Sequence, residues 1–176
     1  MVYPLGCSTD VYWLQLSAYR TCPKLSSGNE TRSRPMEEAN RRLMFHGMCL
    51  FLLGLLTGFA EQHFANVRMG LAAHLEGVMN GTFLVALGGI WPHVRLSPPA
   101  TMIAFWTVLY GTYVNWLITM LAAAFGTAAL SPITGAGHSG QPWQESVVMI
   151  GFMSVGIAIV ASSALVVWGL RKRASG

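Results

Sequence analysis

Charge is nearly absent from the middle of this sequence. Between Leu43 and Leu170 the only Asp, Glu, Lys or Arg residues are Glu61, Arg68, Glu76, Arg95 and Glu145. Charged residues make up 10% of the 176, against roughly 25% in soluble domains. That deficit argues against an ordinary soluble fold of one domain's length. The apolar stretches show no period-two alternation, which argues against a membrane β-barrel. Cysteine is sparse. Cys7, Cys22 and Cys49 have neither zinc-site nor CxxCH spacing and imply no disulfide framework. No P-loop, strand-linked GxGxxG or GxSxG occurs, which disfavours nucleotide-driven and serine-hydrolase chemistry. The N-terminal region has no apolar core of the ~7–15 residues expected of a signal peptide.

What is present is apolar: 53% of the residues are hydrophobic. Four long stretches carry most of them, at about 42–60, 71–91, 99–125 and 145–170. Each matches or exceeds the ~20 residues of helix that cross a bilayer core, and backbone in lipid must bond internally. The predicted fold is therefore all-α, an integral membrane four-helix bundle over 42–171. A polar, disordered tail is expected over 1–41 and a basic end over 172–176. Met36 is a second candidate start besides Met1.

The formal charge of +4 is a topology signal rather than a nucleic-acid patch. Lys and Arg cluster before residue 43 and in "RKR" at 171–173, flanking the spans, with no basic stripe on a polar helix. The loop at 92–98 carries Arg95, and the loop after the third span carries no Lys or Arg. Both termini and the 92–98 loop are thus expected on the cytoplasmic side of a bacterial-type inner membrane. Arg68 is the exception, in a loop placed outside.

Small residues recur at helix-packing spacing. Gly54 and Gly58 form one GxxxG, Gly77 and Gly81 another, and Ser154, Ala158 and Ser162 a third series. Together they point to a compact bundle or oligomer. Gly is also simply frequent in membrane spans, which accounts for any single pair.

The polar exceptions are the candidate site. His74, Glu76 and Asn80 sit in the first half of the second span, where polar groups are costly and face the bundle interior. Anchoring or a plain helix–helix hydrogen bond is the blander account of His74 and Glu76. At ~100° per residue, His74 shares a face with Gly77 and Gly81, against which a flat ligand could lie. Glu76 and Asn80 share another face, and Asn80 is about 120° from His74, so the two can border one cavity. On the third span Trp106, Tyr110 and Tyr113 form an aromatic stripe, and Thr112, Asn115 and Thr119 a polar one. The aromatic stripe is equally the pattern of ordinary packing. His46 falls at an interfacial position, and His63, His93 and His138 fall in loops without an HxxxH or HExxH.

The runs "FANVRMGLAAHLEGVMNGTFLVALGGIWPHVRLSP", "AFWTVLYGTYVNWL" and "GAGHSGQPWQESVV" resemble the hydroxylaminobenzene mutase family, over about residues 42–171. More distantly the chain is similar to styrene oxide isomerases, in His74 followed by Asn80-Gly81, in Pro92 closing the second span, and in Asn115. The resemblance implies a small membrane isomerase that converts hydroxylaminobenzene to 2-aminophenol by moving the hydroxyl from nitrogen to the ortho carbon. From the distant relatives it further implies a homotrimer with haem b between subunits, His74 as ligand of the ferric iron, and the iron acting as Lewis acid. A lone imidazole would leave the opposite iron position open to substrate.

The roles that follow are these. Asn80, Asn115, Tyr113 and Glu76 are expected to be catalytic, and Trp106, Tyr110 and Thr119 to hold the substrate. His74, Gly77 and Gly81 are expected to hold the cofactor. One departure stands out: the isomerases carry a tyrosine where this sequence has Thr119. An epoxide isomerase on the same scaffold and a non-catalytic membrane b-type haem protein are the alternative readings.

Overall fold

A computed structural model describes residues 30–171, with side chains from 38 onward. The described elements are helical. They are α1 (Glu30–Ala60), whose residues from Pro35 on belong to the unit Pro35–Gly176, α2 (Val67–Ile90), α3 (Pro98–Phe125) and α4 (Pro142–Arg171), with short 3-10 turns at Glu61–His63 and Trp91–His93. Among the described residues, four helices are long and apolar enough to cross a membrane, as the hydrophobic stretches predict.

One boundary moves. Residues 30–41 were expected in the disordered tail, but α1 begins at Glu30. Further along, Glu38 pairs with Arg42 one turn on, in the favourable acid-before-base order. Residues 1–29 and 172–176 lie outside the described residues.

Local chemistry sets the helix ends. The Asn66 side chain accepts from the Met69 N–H at 3.2 Å and caps α2. Ser97 precedes Pro98 and Pro99, whose fixed φ and missing N–H suit a first turn. Gly126, at φ 66°, closes α3 in the left-handed conformation that glycine adopts without strain.

α1 and α2 pack backbone to backbone. A Cβ on Gly54 would stand 2.5 Å from the Val78 nitrogen, one on Gly77 2.5 Å from the Gly54 Cα, and one on Gly81 2.7 Å from the Gly47 oxygen. α3 and α4 are joined through side chains: Ile159 lies over Gly111 and Ile118 over Gly151. The core forms two clusters. Leu43, Leu50, Leu84, Trp91 and Val108 belong to the first, and Met69, Ile118, Ala122 and Val148 to the second. Apolar side chains such as Phe59, Met79, Ile157 and Trp168 point outward, which suits lipid as the surrounding solvent.

The segment between α3 and α4 is tied at both sides. Glu145 accepts backbone N–H bonds from Ala128, Ala129 and Gly140, the shortest at 2.8 Å. Asn66 donates to the Thr134 carbonyl at 2.8 Å, and the Arg68 guanidinium donates to Ala136. Arg68, the exception to the charge rule, is thus held by the loop beside it.

Candidate functional site

The polar residues of α2 divide between two neighbours. Taking Gly77 as the centre of the face that meets α1, His74 lies about 60° to one side, while Asn80 and Glu76 lie about 60° and 100° to the other. The contacts follow this division.

His74 belongs to α1. Its Nδ1 lies 2.8 Å from the Gly54 carbonyl, and because a carbonyl only accepts, Nδ1 is the donor. A neutral imidazole protonated at Nδ1 carries its lone pair on Nε2. That nitrogen has no hydrogen-bond partner among the described residues. Gly58 makes room for the ring: a Cβ there would stand 2.8 Å from Nδ1. The spacing Gly54–Gly58 is visible in the sequence as a packing motif; its service to His74 is not.

Glu76 and Asn80 belong to α3. The Thr119 hydroxyl donates to Glu76 Oε2 at 2.7 Å and lies 2.9 Å from the Asn115 carbonyl. Asn80 Nδ2 donates to the Thr112 carbonyl at 3.4 Å. The two polar stripes read separately in the sequence therefore face each other. Glu76 Oε1, Asn80 Oδ1 and the Asn115 amide make no hydrogen bond among the described residues. None of them is fully buried among the described residues.

Trp116 was missed by the sequence reading. Its Nε1 donates to Thr57 at 3.1 Å, Thr57 in turn donates to the Leu53 carbonyl at 2.8 Å, and the indole edge lies over Gly77. An indole N–H deep in a span needs a partner, and that need was the available signal.

Three expectations are corrected. First, Gly77 and Gly81 do not offer an open face to a flat cofactor, because the α1 backbone fills it. Second, His74 and Asn80 do not border one cavity within the chain, because α1 occupies the arc between them. Third, the aromatic stripe does not form one wall. Trp106 is 61% exposed and meets Phe105 edge-on. Tyr110 bonds to Ser154 of α4 at 2.9 Å. Tyr113 donates to the His46 carbonyl of α1 at 3.1 Å. Thr119, expected to touch substrate, has its hydroxyl committed to Glu76.

The sequence model of the styrene oxide isomerase family matches residues 39–171. Hydroxylaminobenzene mutase HabB of Ectopseudomonas oleovorans is 47% identical over 132 residues, 74% of this chain and 80% of that protein. Hydroxylaminobenzene mutase HabA of the same organism is 40% identical over 129 residues, 73% of this chain and 96% of that one. The chain belongs to the family of styrene oxide isomerases and hydroxylaminobenzene mutases. It is an enzyme, an isomerase. No solved structure matches it.

Membership in this isomerase family makes haem a group to test against the residues present. Among the described residues no three His, Cys, Asp or Glu side chains gather, so the donor pattern is not that of a caged metal ion. A haem needs one protein nitrogen, and His74 fits: its ring is oriented by Nδ1 and its Nε2 is free. Anchoring of the second ring nitrogen is the usual support of a ligating histidine. His46 cannot serve the same iron from within the chain. It precedes Gly58, the neighbour of His74, by twelve positions on α1 (58 − 46), roughly 18 Å at the helical rise.

Proposed function

We propose that this isomerase converts hydroxylaminobenzene to 2-aminophenol within the membrane. The names of its two relatives support the substrate. One structural observation carries the reading: where Glu76 meets Thr119 and Asn80 meets Thr112 across the α2–α3 seam, Glu76 Oε1, Asn80 Oδ1 and the amide of Asn115, on the same stripe of α3, make no hydrogen bond among the described residues. Polar groups left open at this depth are costly, and a polar substrate offsets that cost.

The net reaction breaks N–O, forms C–O at the ortho carbon and moves the ortho C–H proton to nitrogen. No electrons enter or leave. Asn80 and Asn115 hold the N–O unit, an acceptor and an amide donor on neighbouring helices. Glu76, oriented by Thr119, takes the ortho proton at Oε1 and returns it to nitrogen, as a general base then acid. A ferric haem b on His74 Nε2 would supply a Lewis acid toward the N–O group. The lipid-facing apolar residues keep water from competing with the migrating oxygen.

His74 and the Glu76–Asn80–Asn115 set lie on opposite flanks of the α1 contact, so one chain does not bring both to one substrate. A homo-oligomer, in which one subunit offers His74 and the next offers the seam, would resolve this, and the resemblance to styrene oxide isomerases implies a trimer. The flanking Lys and Arg support an orientation with both termini on the cytoplasmic side of a bacterial-type inner membrane.

The test is direct. The purified protein from haem-replete cells is given hydroxylaminobenzene and styrene oxide in parallel, and its absorbance spectrum is compared with that of His74→Ala. The reading expects 2-aminophenol and a haem band that the variant loses. Turnover of the epoxide alone would favour the second reading, an epoxide isomerase, which the styrene oxide isomerase match supports. Equal haem bands in both proteins would reject His74 as ligand.

A further inference from the structure

The α2 face that carries Glu76 and Asn80 continues as Phe83 and Leu87, and the α3 face that carries Asn115 and Thr112 continues as Val108. Here the polar seam ends and a groove of about 240 Å³ opens between α2, α3 and α4, lined by Phe83, Leu87, Val108, Ser162 and Val166. Phe83 lies one helical turn, roughly 5 Å, beyond Asn80. The lining is apolar apart from serines, and the Ser162 hydroxyl is already donated to the Ile159 carbonyl at 3.0 Å. Ser163 is the one other hydroxyl in the lining, and the rest of it offers no polar side chain. A dry apolar cavity of ~150 Å³ takes benzene, so the groove has room for one aromatic ring. It opens sideways, between membrane-spanning helices, toward the phase in which a neutral arene concentrates.

We infer that this groove is a binding site for the ring of a small neutral arene, which reaches the α2–α3 seam laterally from the bilayer. The inference rests on the arylhydroxylamine reading for its link to turnover, but the binding itself does not. Phe83, Leu87 and Val108 are then specificity-determining residues. They set ring size and substitution, while the polar seam one turn away takes the N–O group.

The experiment uses the full chain in detergent micelles and fluorobenzene as probe, followed by fluorine NMR. The native protein gives a saturable shift beyond partition into empty micelles. Ala86→Trp and Ser163→Trp, both at the groove's margin, weaken it by at least about tenfold, which is ~1.4 kcal/mol. Glu76→Gln leaves it unchanged. Phe83→Ala, which widens the groove, shifts preference from fluorobenzene toward 1-fluoronaphthalene, a readout that survives if either Trp variant fails to fold. Binding that never saturates, or that is equal in native and Trp variants, overturns the proposal and leaves the groove to lipid chains. Saturable binding without turnover of hydroxylaminobenzene keeps the arene site and rejects the proposed reaction.

Discussion

The Thr119 hydroxyl donates to the Glu76 carboxylate across the α2–α3 interface at 2.7 Å. This bond fixes one carboxylate oxygen and leaves the other for chemistry. Glu76→Gln keeps the shape and the acceptor but removes proton transfer. Its kcat for hydroxylaminobenzene should fall about 10²–10⁴-fold, with the haem band and thermal midpoint unchanged. Thr119→Val should destabilise the fold by about 1–3 kcal/mol, the cost of stranding the carboxylate oxygen, and Thr119→Ser should restore it. Equal kcat in Glu76→Gln and native protein would remove Glu76 from the mechanism.

Gly58 makes a sharper test of His74 than His74 itself. Gly58→Ala places a methyl 2.8 Å from Nδ1, displacing the ring while keeping every ligand atom. Cofactor affinity should fall by about 10–100-fold, the usual cost of disturbing a ligand's support. Haem titration into apoprotein, read by absorbance, measures this.

The α1–α2 contact leaves no space for side chains. Gly77→Ala and Gly81→Ala should each cost about 1–3 kcal/mol by overpacking, read as loss of helical signal on denaturant titration in micelles. Gly89, which has open space around it, is the control: Gly89→Ala should be neutral or slightly stabilising.

Glu145→Gln tests the segment between α3 and α4. The carboxylate collects three backbone N–H groups, and charge-assisted bonds are worth about 1.5–3 kcal/mol each. Limited proteolysis should cut residues 127–141 faster in the variant, with little change in kcat for hydroxylaminobenzene.

The spans were legible, and their limits too except for the start of α1, because hydropathy reports depth in the bilayer directly but not how far a helix runs beyond it. The polar stripe Thr112, Asn115, Thr119 and the pair Glu76, Asn80 were also legible, since such residues seldom face lipid. Which helix each stripe meets was not. In water a helix declares its outward face by polarity, but in lipid the outward face is apolar as well, and only small or polar residues mark the inner side. Gly77 and Gly81 illustrate the ambiguity. Their bare face admits a ligand or a neighbouring helix equally, and only the position of Gly54 and Gly47 decides for the helix. Trp106, Tyr110 and Tyr113 diverge for a related reason. Each ring serves a different neighbour, and i, i+4, i+7 spacing does not report side-chain direction.

The glycine contact has a mechanical consequence. Where Gly54 meets Gly77 and Gly47 meets Gly81, main chain touches main chain with no rotamers between to rearrange, so the first hairpin is stiff at these crossings, beside the turn that carries the imidazole. α4, by contrast, meets α3 through isoleucine side chains laid over glycines, a contact in which side chains can repack. If the proposed reaction holds, the opening that admits substrate and releases product is expected of the last helix rather than of the histidine.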